Sequence, residues 1–306
     1  MPDPGFLRKQ TLRNYDYSWE RLQGDPDLRS KFWRHNVADF LPRQELCIDP
    51  AWFAGRRVLD AGCGGGRWTY GLQQLGCEVT AFDASAAAVE FVRSNIAEGA
   101  TQVHQANIFE LPPEVAGQQY DLVFSWGVLH HTGDTFRALS TIAPLVKSDG
   151  VLYVYLYGKR SWGALKRLLV KTSRAVLLPF PPRLKFSFFR ALLGEYKAGL
   201  AMDVLGSTIA HRYTQEEVDG WLAQLEFQHV VRTIPTDEIY RKAYNDGCSA
   251  VPHFLEPAEP PYWFDAWREE NYQNLLRRDM HDAEAPGSPE NSGPSGDADQ
   301  SESSSA

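Results

Sequence analysis

Cysteine is scarce in this chain, and the few residues present do not cluster. Cys47, Cys63, Cys77 and Cys248 form no C-x-x-C pair and no spacing suited to a metal site, which argues against a disulfide scaffold or a zinc-held fold and for reduced thiols in a cytoplasmic protein. Long apolar runs are missing as well. None approaches the roughly 18 residues of a spanning helix, and the opening MPDPGFLRKQ lacks the apolar centre of a signal peptide. A soluble protein is the expectation, with attachment to a membrane surface left open. Basic charge is in deficit: a formal net charge of -8 and a pI near 5.5 disfavour a nucleic-acid binder that works through a globally basic surface, while a local basic patch remains compatible with them.

What the chain does have is core material. With 43% hydrophobic and 12% aromatic residues over a length of 306, it can bury a substantial interior, and the length suits one large domain carrying a cap.

The stretch RVLDAGCGGGRWTY, residues 57–70, organises the rest. Val58 and Leu59 read as the end of a buried strand that Asp60 closes; Gly62, Gly64 and Gly66 form a loop; Arg67 to Leu75 reads as a helix. Alternate glycines let the main chain turn sharply and come close to a small ligand, because no Cβ intervenes. A dinucleotide fingerprint G-x-G-x-x-G needs glycine or alanine at its sixth position, which counted from Gly62 is Arg67, so that reading weakens. Asp83 closes the next apolar run, EVTAFD, where an acid can accept hydrogen bonds from a ribose.

Strands are expected at 58–61, 78–82, 102–105, 120–125 and 151–157, with helices between most of them. The alternation predicts an α/β fold whose parallel sheet binds ligands at the carboxyl ends of its strands. Gly62, Asp83, Asn107 and Ser125 all fall at such ends.

Counted from Asp60, the loop reads D-x-G-x-G-x-G, and here the chain resembles the class I S-adenosylmethionine (SAM) dependent methyltransferases. The resemblance extends over roughly residues 55–158. YDLVFSWGVLHHTGD is similar to the family's fourth-strand motif, and APLVKSDGVLYVYLYG to its helix, turn and fifth strand, with Ser148-Asp149-Gly150 at the turn. It implies a Rossmann-like, mostly parallel seven-stranded sheet flanked by helices, with SAM as cofactor. Its methionine part would lie over Asp60, Gly62, Gly64 and Gly66, its ribose at Asp83, and its adenine near Ala84, Asn107 and Ile108, with Ser125 and Trp126 bordering the site. Asn107 stands where many relatives have Asp. Trp126 has a π face suited to a sulfonium.

Ser125-Trp126-Gly127 is neither the Asp/Asn-Pro-Pro-aromatic tetrad of adenine amino methyltransferases nor a Pro-Cys nucleophile, which disfavours nucleobase methylation. Cys63 reads as a small packing residue within the loop. His130 and His131 are the acid-base candidates near that edge; the competing reading has them capping or packing the next helix.

The chain divides into an N-terminal helical segment (1–54), the SAM-binding core (55–158), a basic helical insert or lid (159–213), the rest of the methyltransferase domain (214–281) and a disordered acidic tail (282–306). In the first segment, a helix from Pro26 and Asp27 through Leu28, Phe32, Trp33, Val37, Phe40 and Leu41 is expected, and Tyr15, Tyr17 and Trp19 either close over the cofactor or pack an added helix. Residues 159–200 carry ten basic residues against one acid, Glu195. An apolar stripe of Trp162, Leu165, Leu168, Leu169, Thr172 and Val176 is set beside Lys166, Arg167, Lys171 and Arg174. Two readings stand: a surface in peripheral membrane contact through 159–185 that recruits an anionic or lipid-linked acceptor, or a lid whose charges are only solvated. Thr214 to Glu217 is a capping box opening a helix, 227–234 reads as a strand, and the aromatics from Tyr240 to Tyr272 show no period.

The sequence therefore points to a SAM-dependent methyltransferase acting on an oxygen or nitrogen of a small or lipid-linked molecule. An RNA methyltransferase, a SAM-binding protein without catalysis and a dinucleotide oxidoreductase are the alternatives.

Overall fold

Seven strands form one sheet in the computed structural model, which describes residues 3–22, 37–159, 163–233, 239–245 and 248. β1 (Arg57–Ala61), β2 (Glu78–Asp83), β3 (Gln102–Gln105), β4 (Tyr120–Trp126) and β5 (Val146–Leu156) are parallel; β6 (His229–Val231) and β7 (Ile239–Tyr244) complete the order β3-β2-β1-β4-β5-β7-β6. The order reverses at β1, which pairs with β2 on one side and β4 on the other. A crevice for ligand is expected outside the carboxyl ends of strands at such a reversal. β1 and β4 are buried along almost their whole length, which explains their nearly continuous apolar runs.

Helix α1 (Pro4–Leu22) precedes the sheet, and α2 (Arg67–Gln74), α3 (Ala86–Asn95), α4 (Pro113–Ala116) and α5 (Thr135–Ile142) alternate with the strands. The insert supplies α6 (Ala164–Leu177), α7 (Pro182–Leu193) and α8 (Glu195–Ala201), and α9 (Gln215–Gln224) returns the chain to the sheet. Val123 and Leu152 of the sheet pack with Leu139, Ile142, Val218 and Leu222 in the main core. A second, smaller cluster joins Phe186, Phe189, Ala198 and Met202, with Tyr17 of α1 against it. The insert closes at its base: Gly158 bridges Tyr213, the Lys159 amide donates to the Tyr213 carbonyl at 2.8 Å, and the Tyr213 amide donates to the Tyr157 carbonyl at 2.9 Å.

The structure departs from the sequence reading in four places. β5 begins at Val146 rather than 151, so Ser148-Asp149-Gly150 lies inside the strand rather than in a turn before it. The pairing jumps there from Tyr120↔Val146 to Leu122↔Val151, and a Cβ on Gly150 would come within 2.9 Å of the Tyr120 carbonyl, so glycine lets the bulge pass. The strand expected at 227–234 is confined to His229–Val231, and Ile234 lies outside the described residues. β7 is a strand the sequence pattern does not mark: it is buried at all six positions, with Arg241 and Lys242 among them, so no apolar alternation shows. Lys242 Nζ donates to the Leu46 and Cys47 carbonyls at 3.0 and 3.1 Å, which makes its burial tolerable.

The fourth departure is in the insert. Leu165, Leu168, Leu169 and Val176 are 57–71% exposed, so the apolar stripe does not serve as the underside of a lid. Arg174, expected among the solvated charges, turns inward and donates to the Val204 carbonyl at 2.7 and 3.0 Å. Trp162, the helix start near Pro26 and Asp27 with Leu28, Phe32 and Trp33, the aromatics Trp263, Trp267 and Tyr272, and the tail from 282 lie outside the described residues.

The expected capping box is present. Thr214 Oγ1 accepts from the Glu217 amide at 3.3 Å, and Glu217 Oε2 accepts from the Thr214 amide at 2.6 Å. Thr214→Ala is expected to cost about 1 kcal/mol in urea unfolding with an unchanged slope against denaturant. A loss below about 0.3 kcal/mol would mean that tertiary contacts rather than the cap hold the start of α9.

Candidate active site

The loop between β1 and α2 is fixed from the neighbouring strand. The amides of Gly62 and Cys63 both donate to the Phe82 carbonyl, at 2.8 and 3.0 Å. Gly64 has φ +50°, a backbone region costly for side chains that carry a Cβ, and a Cβ there would stand 2.7 Å from Trp19 Cζ2. At Gly62, φ is +91° and an added Cβ would strike the Val128 side chain just after β4. Close approach is thus required on both sides of the loop. Cys63 is buried and its thiol is pushed well up by that burial, in keeping with a packing role.

Asp83 is the keystone of this edge. Its Oδ2 accepts from the Gly64 amide at 2.9 Å and its Oδ1 from the Ser85 amide at 2.8 Å. Burial raises its pKa, and the amide bonds from Ser85 and Gly64 oppose the rise. Each carboxylate oxygen keeps acceptor capacity beyond these bonds. Ala84 and Asn107 are exposed, Ile108 is buried, and Asn107 Oδ1 accepts from the Phe109 amide at 3.1 Å, which holds the turn after β3.

Two expected site residues turn inward. Asp60 is 1% exposed and accepts from Thr69 Oγ1 of α2 at 2.6 Å; burial pushes its carboxyl up to about 7. Ser125 is fully buried, and its hydroxyl donates to the Ala61 carbonyl at 3.0 Å, joining β4 to β1. Both brace the loop from below through their side chains. Trp126 ends β4 with its ring 5.6 Å from that of Trp68 and 4.7 Å from that of Tyr155, and its indole N–H donates to Glu45.

The two histidines differ sharply. His130 is fully buried, its ring 3.9 Å from that of Tyr157, with no hydrogen-bond partner at either nitrogen among the described residues; burial and then His131 hold its pKa well below the usual range. His131 is half-buried, and its Nδ1 lies 2.6 Å from the Ile209 carbonyl. A carbonyl can only accept, so Nδ1 carries the proton and Nε2 is the ring's acceptor. Burial lowers the His131 pKa to about 4, and the bond to Ile209 opposes the shift. Of the pair, His131 alone combines partial exposure with a defined tautomer.

α1 covers this edge with Trp19 and Tyr15. Trp19 packs on Gly64 and Gly65, Asp16 is 2.5 Å from the Ser85 hydroxyl, and the Tyr15 ring meets His131 edge-on at 5.4 Å. Tyr15 donates to Asp203 of the insert at 3.3 Å, and Thr11 pairs with Thr208 at 2.6 Å. The three aromatics therefore divide: Trp19 closes over the glycine loop, Tyr15 over His131, and Tyr17 packs on Phe186. Glu45 was also missed, since nothing in the local pattern LPRQEL marks a buried carboxylate. A cavity of about 660 Å³ lies instead at the amino ends of β1, β2 and β4, lined by Trp52, Arg56, Glu78, Asp121 and Lys147. There Arg56 and Lys147 are already paired with Asp121 at 3.3 and 2.9 Å, and the loops that form the crevice are at the opposite end of the sheet. No cluster of metal ligands occurs among the described residues.

The sheet order, the glycine loop and the acid after β2 define a Rossmann-like methyltransferase fold. The magnesium protoporphyrin IX methyltransferase of Synechocystis PCC 6803, solved with bound SAH, shares that fold at a TM-score of 0.50 and 18% identity, over 80% of this chain and 100% of the other. Residues 59–154 match the family model described as a methyltransferase domain. Ubiquinone biosynthesis O-methyltransferases are similar to this chain. That of Chelativorans sp. (strain BNC1) is 30% identical over 128 residues, 42% of this chain and 49% of its own length. That of Aromatoleum aromaticum is 31% identical over 147 residues, 43% of this chain and 62% of its own. The chain thus spans about half the length of the first of these curated relatives and under two thirds of the second.

A histidine held below its usual pKa binds its proton less readily in the folded chain than in the unfolded one. Between about pH 4 and the ordinary 6.5 the unfolded state therefore carries more protons, and stability rises with pH across that window before levelling above it. His131→Asn is expected to flatten part of this rise in urea unfolding measured from pH 4 to 7. A curve superimposable on that of the unaltered protein would show that His131 titrates as it does in water.

Proposed function

We propose that this protein is a SAM-dependent methyltransferase whose acceptor is a small or lipid-linked molecule methylated at oxygen or nitrogen. The observation that carries the reading is the Gly64–Asp83 bond: one carboxylate holds the glycine loop open and keeps lone pairs for a ribose at the same edge. These residues fit the cofactor. The Gly62–Gly66 main chain takes its methionine part, Asp83 its ribose hydroxyls, and Ala84, Asn107 and Ile108 border its adenine. SAM supplies a methyl group on a sulfonium, ready for direct displacement. Trp126 presents its ring at the end of β4, and Trp19 shields the loop from water. His131 Nε2 takes the proton of the acceptor as its oxygen or nitrogen is methylated; held neutral above about pH 4, it is in the form that can accept one. His130, buried and stacked on Tyr157, packs the wall behind it. The curated relatives, being O-methyltransferases, favour oxygen over nitrogen as the acceptor atom.

Calorimetry with SAM and its demethylated product S-adenosylhomocysteine tests this directly. Asp83→Ala removes charged hydrogen bonds and is expected to weaken both ligands by about tenfold to 100-fold in a folded variant. Unchanged affinity would overturn the ribose assignment.

The insert favours an acceptor drawn from a membrane surface. Leu165, Leu168, Val176, Phe180, Phe188 and Leu192 are all 47–71% exposed, and the remaining large exposed apolar side chains among the described residues also lie in α6 and α7, apart from Phe6. Phe180 lies in the turn that joins these two helices. Lys166, Arg167 and Lys171 are exposed on α6 beside them. An apolar face flanked by lysine and arginine suits an anionic bilayer, to which each basic residue contributes about 1 kcal/mol. No helix among the described residues is long and apolar enough to cross a membrane. Sedimentation with vesicles is expected to show binding to anionic rather than neutral lipid, weakened by salt and by replacing Lys166, Arg167 and Lys171 with Gln. Equal, negligible binding to both lipids would leave the acceptor a freely dissolved molecule.

A further inference from the structure

Glu45 sits in a π-helical turn, Leu41–Leu46, far in sequence from every motif of the fold, yet only 1% of it is exposed. Its Oε1 accepts from the Trp126 indole and from the Tyr153 hydroxyl, the latter at 2.8 Å. Its Oε2 is buried and meets no donor among the described residues. A buried carboxylate oxygen left without a donor is destabilising, and such atoms are rare enough to call for a cause. Holding Trp126 in place does not supply one, because that task uses Oε1, and the carbonyl oxygen of a glutamine would do it equally well. The second oxygen keeps acceptor capacity that no donor among the described residues uses, and an incoming donor would satisfy it.

The surroundings say what kind of donor. Glu45 interacts with the positive charge of Arg67, the first residue of α2 and the one that directly follows the glycine loop. The Arg67 guanidinium lies 4.4 Å from the Trp68 ring centre and 5.9 Å from that of Trp126. A carboxylate and a guanidinium thus both approach the Trp126 indole, between the end of β4 and the start of α2. Burial raises the Glu45 carboxyl to about 7, against the pull of Tyr153, Arg67 and Trp126, so an arriving cation would favour its ionised form.

We propose that Glu45 and Arg67 form a zwitterion clamp for the amino-acid end of the methyl donor, with Glu45 Oε2 receiving its α-ammonium and Arg67 facing its α-carboxylate. The clamp rests on the SAM reading above and adds a charge-paired subsite to a loop that otherwise offers main chain. It also gives Trp126 a second duty, since one indole N–H fixes the carboxylate on which the ammonium lands.

Calorimetry on the full chain with three ligands tests it: S-adenosylhomocysteine, its analogue lacking only the α-amino group, and 5′-methylthioadenosine, which lacks the whole amino-acid end. The unaltered protein is expected to prefer S-adenosylhomocysteine over the des-amino analogue by about tenfold or more, as for a charged hydrogen bond. Glu45→Gln should erase most of that preference and leave affinity for 5′-methylthioadenosine within about twofold. Equal binding of S-adenosylhomocysteine and its des-amino analogue by the unaltered protein overturns the clamp, and this comparison decides even if the variant fails to fold. Equal weakening of all three ligands by Glu45→Gln also overturns it, because Glu45 would then act through the fold. If the unaltered protein binds neither S-adenosylhomocysteine nor 5′-methylthioadenosine, the methyl-donor reading fails, and the clamp falls with it.

Discussion

The carboxyl end of β2 holds this protein's ligand edge together. The Phe82 carbonyl takes two amides from the loop after β1, the Asp83 carbonyl takes the Ala106 amide from the end of β3, and the Asp83 carboxylate joins Gly64 to Ser85. Turns after three strands therefore converge on two consecutive residues. Alternate glycines are conformationally permissive, and without such fixed acceptors the loop would sample many shapes. The bonds convert that freedom into one open geometry, and a ligand then meets a backbone already ordered.

Above this edge the protein builds its roof from two segments far apart in sequence. α1 and the insert are stitched by small polar contacts, Thr11 with Thr208, Tyr15 with Asp203 and the Thr208 hydroxyl to the Leu7 carbonyl at 2.8 Å. Beneath them both histidines are kept neutral by burial, with the nearby positive charges acting in the same direction. A neutral imidazole in dry surroundings is a stronger hydrogen-bond partner than the same ring in water. The roof and the sheet edge thus share one electrostatic logic: charge is excluded unless a partner awaits it.

Much of this was legible from residues alone. The strand, glycine loop and helix at 57–75 could be read because the apolar run, the glycine spacing and the acid are all local. Asp83 and Asn107 were placed at strand ends by the alternation of elements, without any contact being known. The orientation of side chains was not legible: Asp60 and Ser125 occupy the expected positions but face inward, because a strand sends alternate side chains to opposite faces and helix α2 supplies Thr69 as a partner. β7 escaped notice since Arg241 and Lys242 are buried in it. Arg241 is held by Asp219 at 2.7 Å and Lys242 by two carbonyls, partners that only the fold brings near. Glu45 was hidden for the same reason, as was the division of Tyr15, Tyr17 and Trp19 between the edge and Phe186, their contacts being with residues distant in the chain.

The pinned base of the insert has an evolutionary consequence. Because Gly158 and Tyr213 bridge, the span between them leaves and re-enters the sheet at one point, and chain added or removed there changes the entropy of a closed loop only slowly with its length. β5 and α9 would hardly register the exchange. The segment is in effect a cassette: the sheet stays constant while the stretch between the two bridge residues can drift, lengthen or be replaced by recombination.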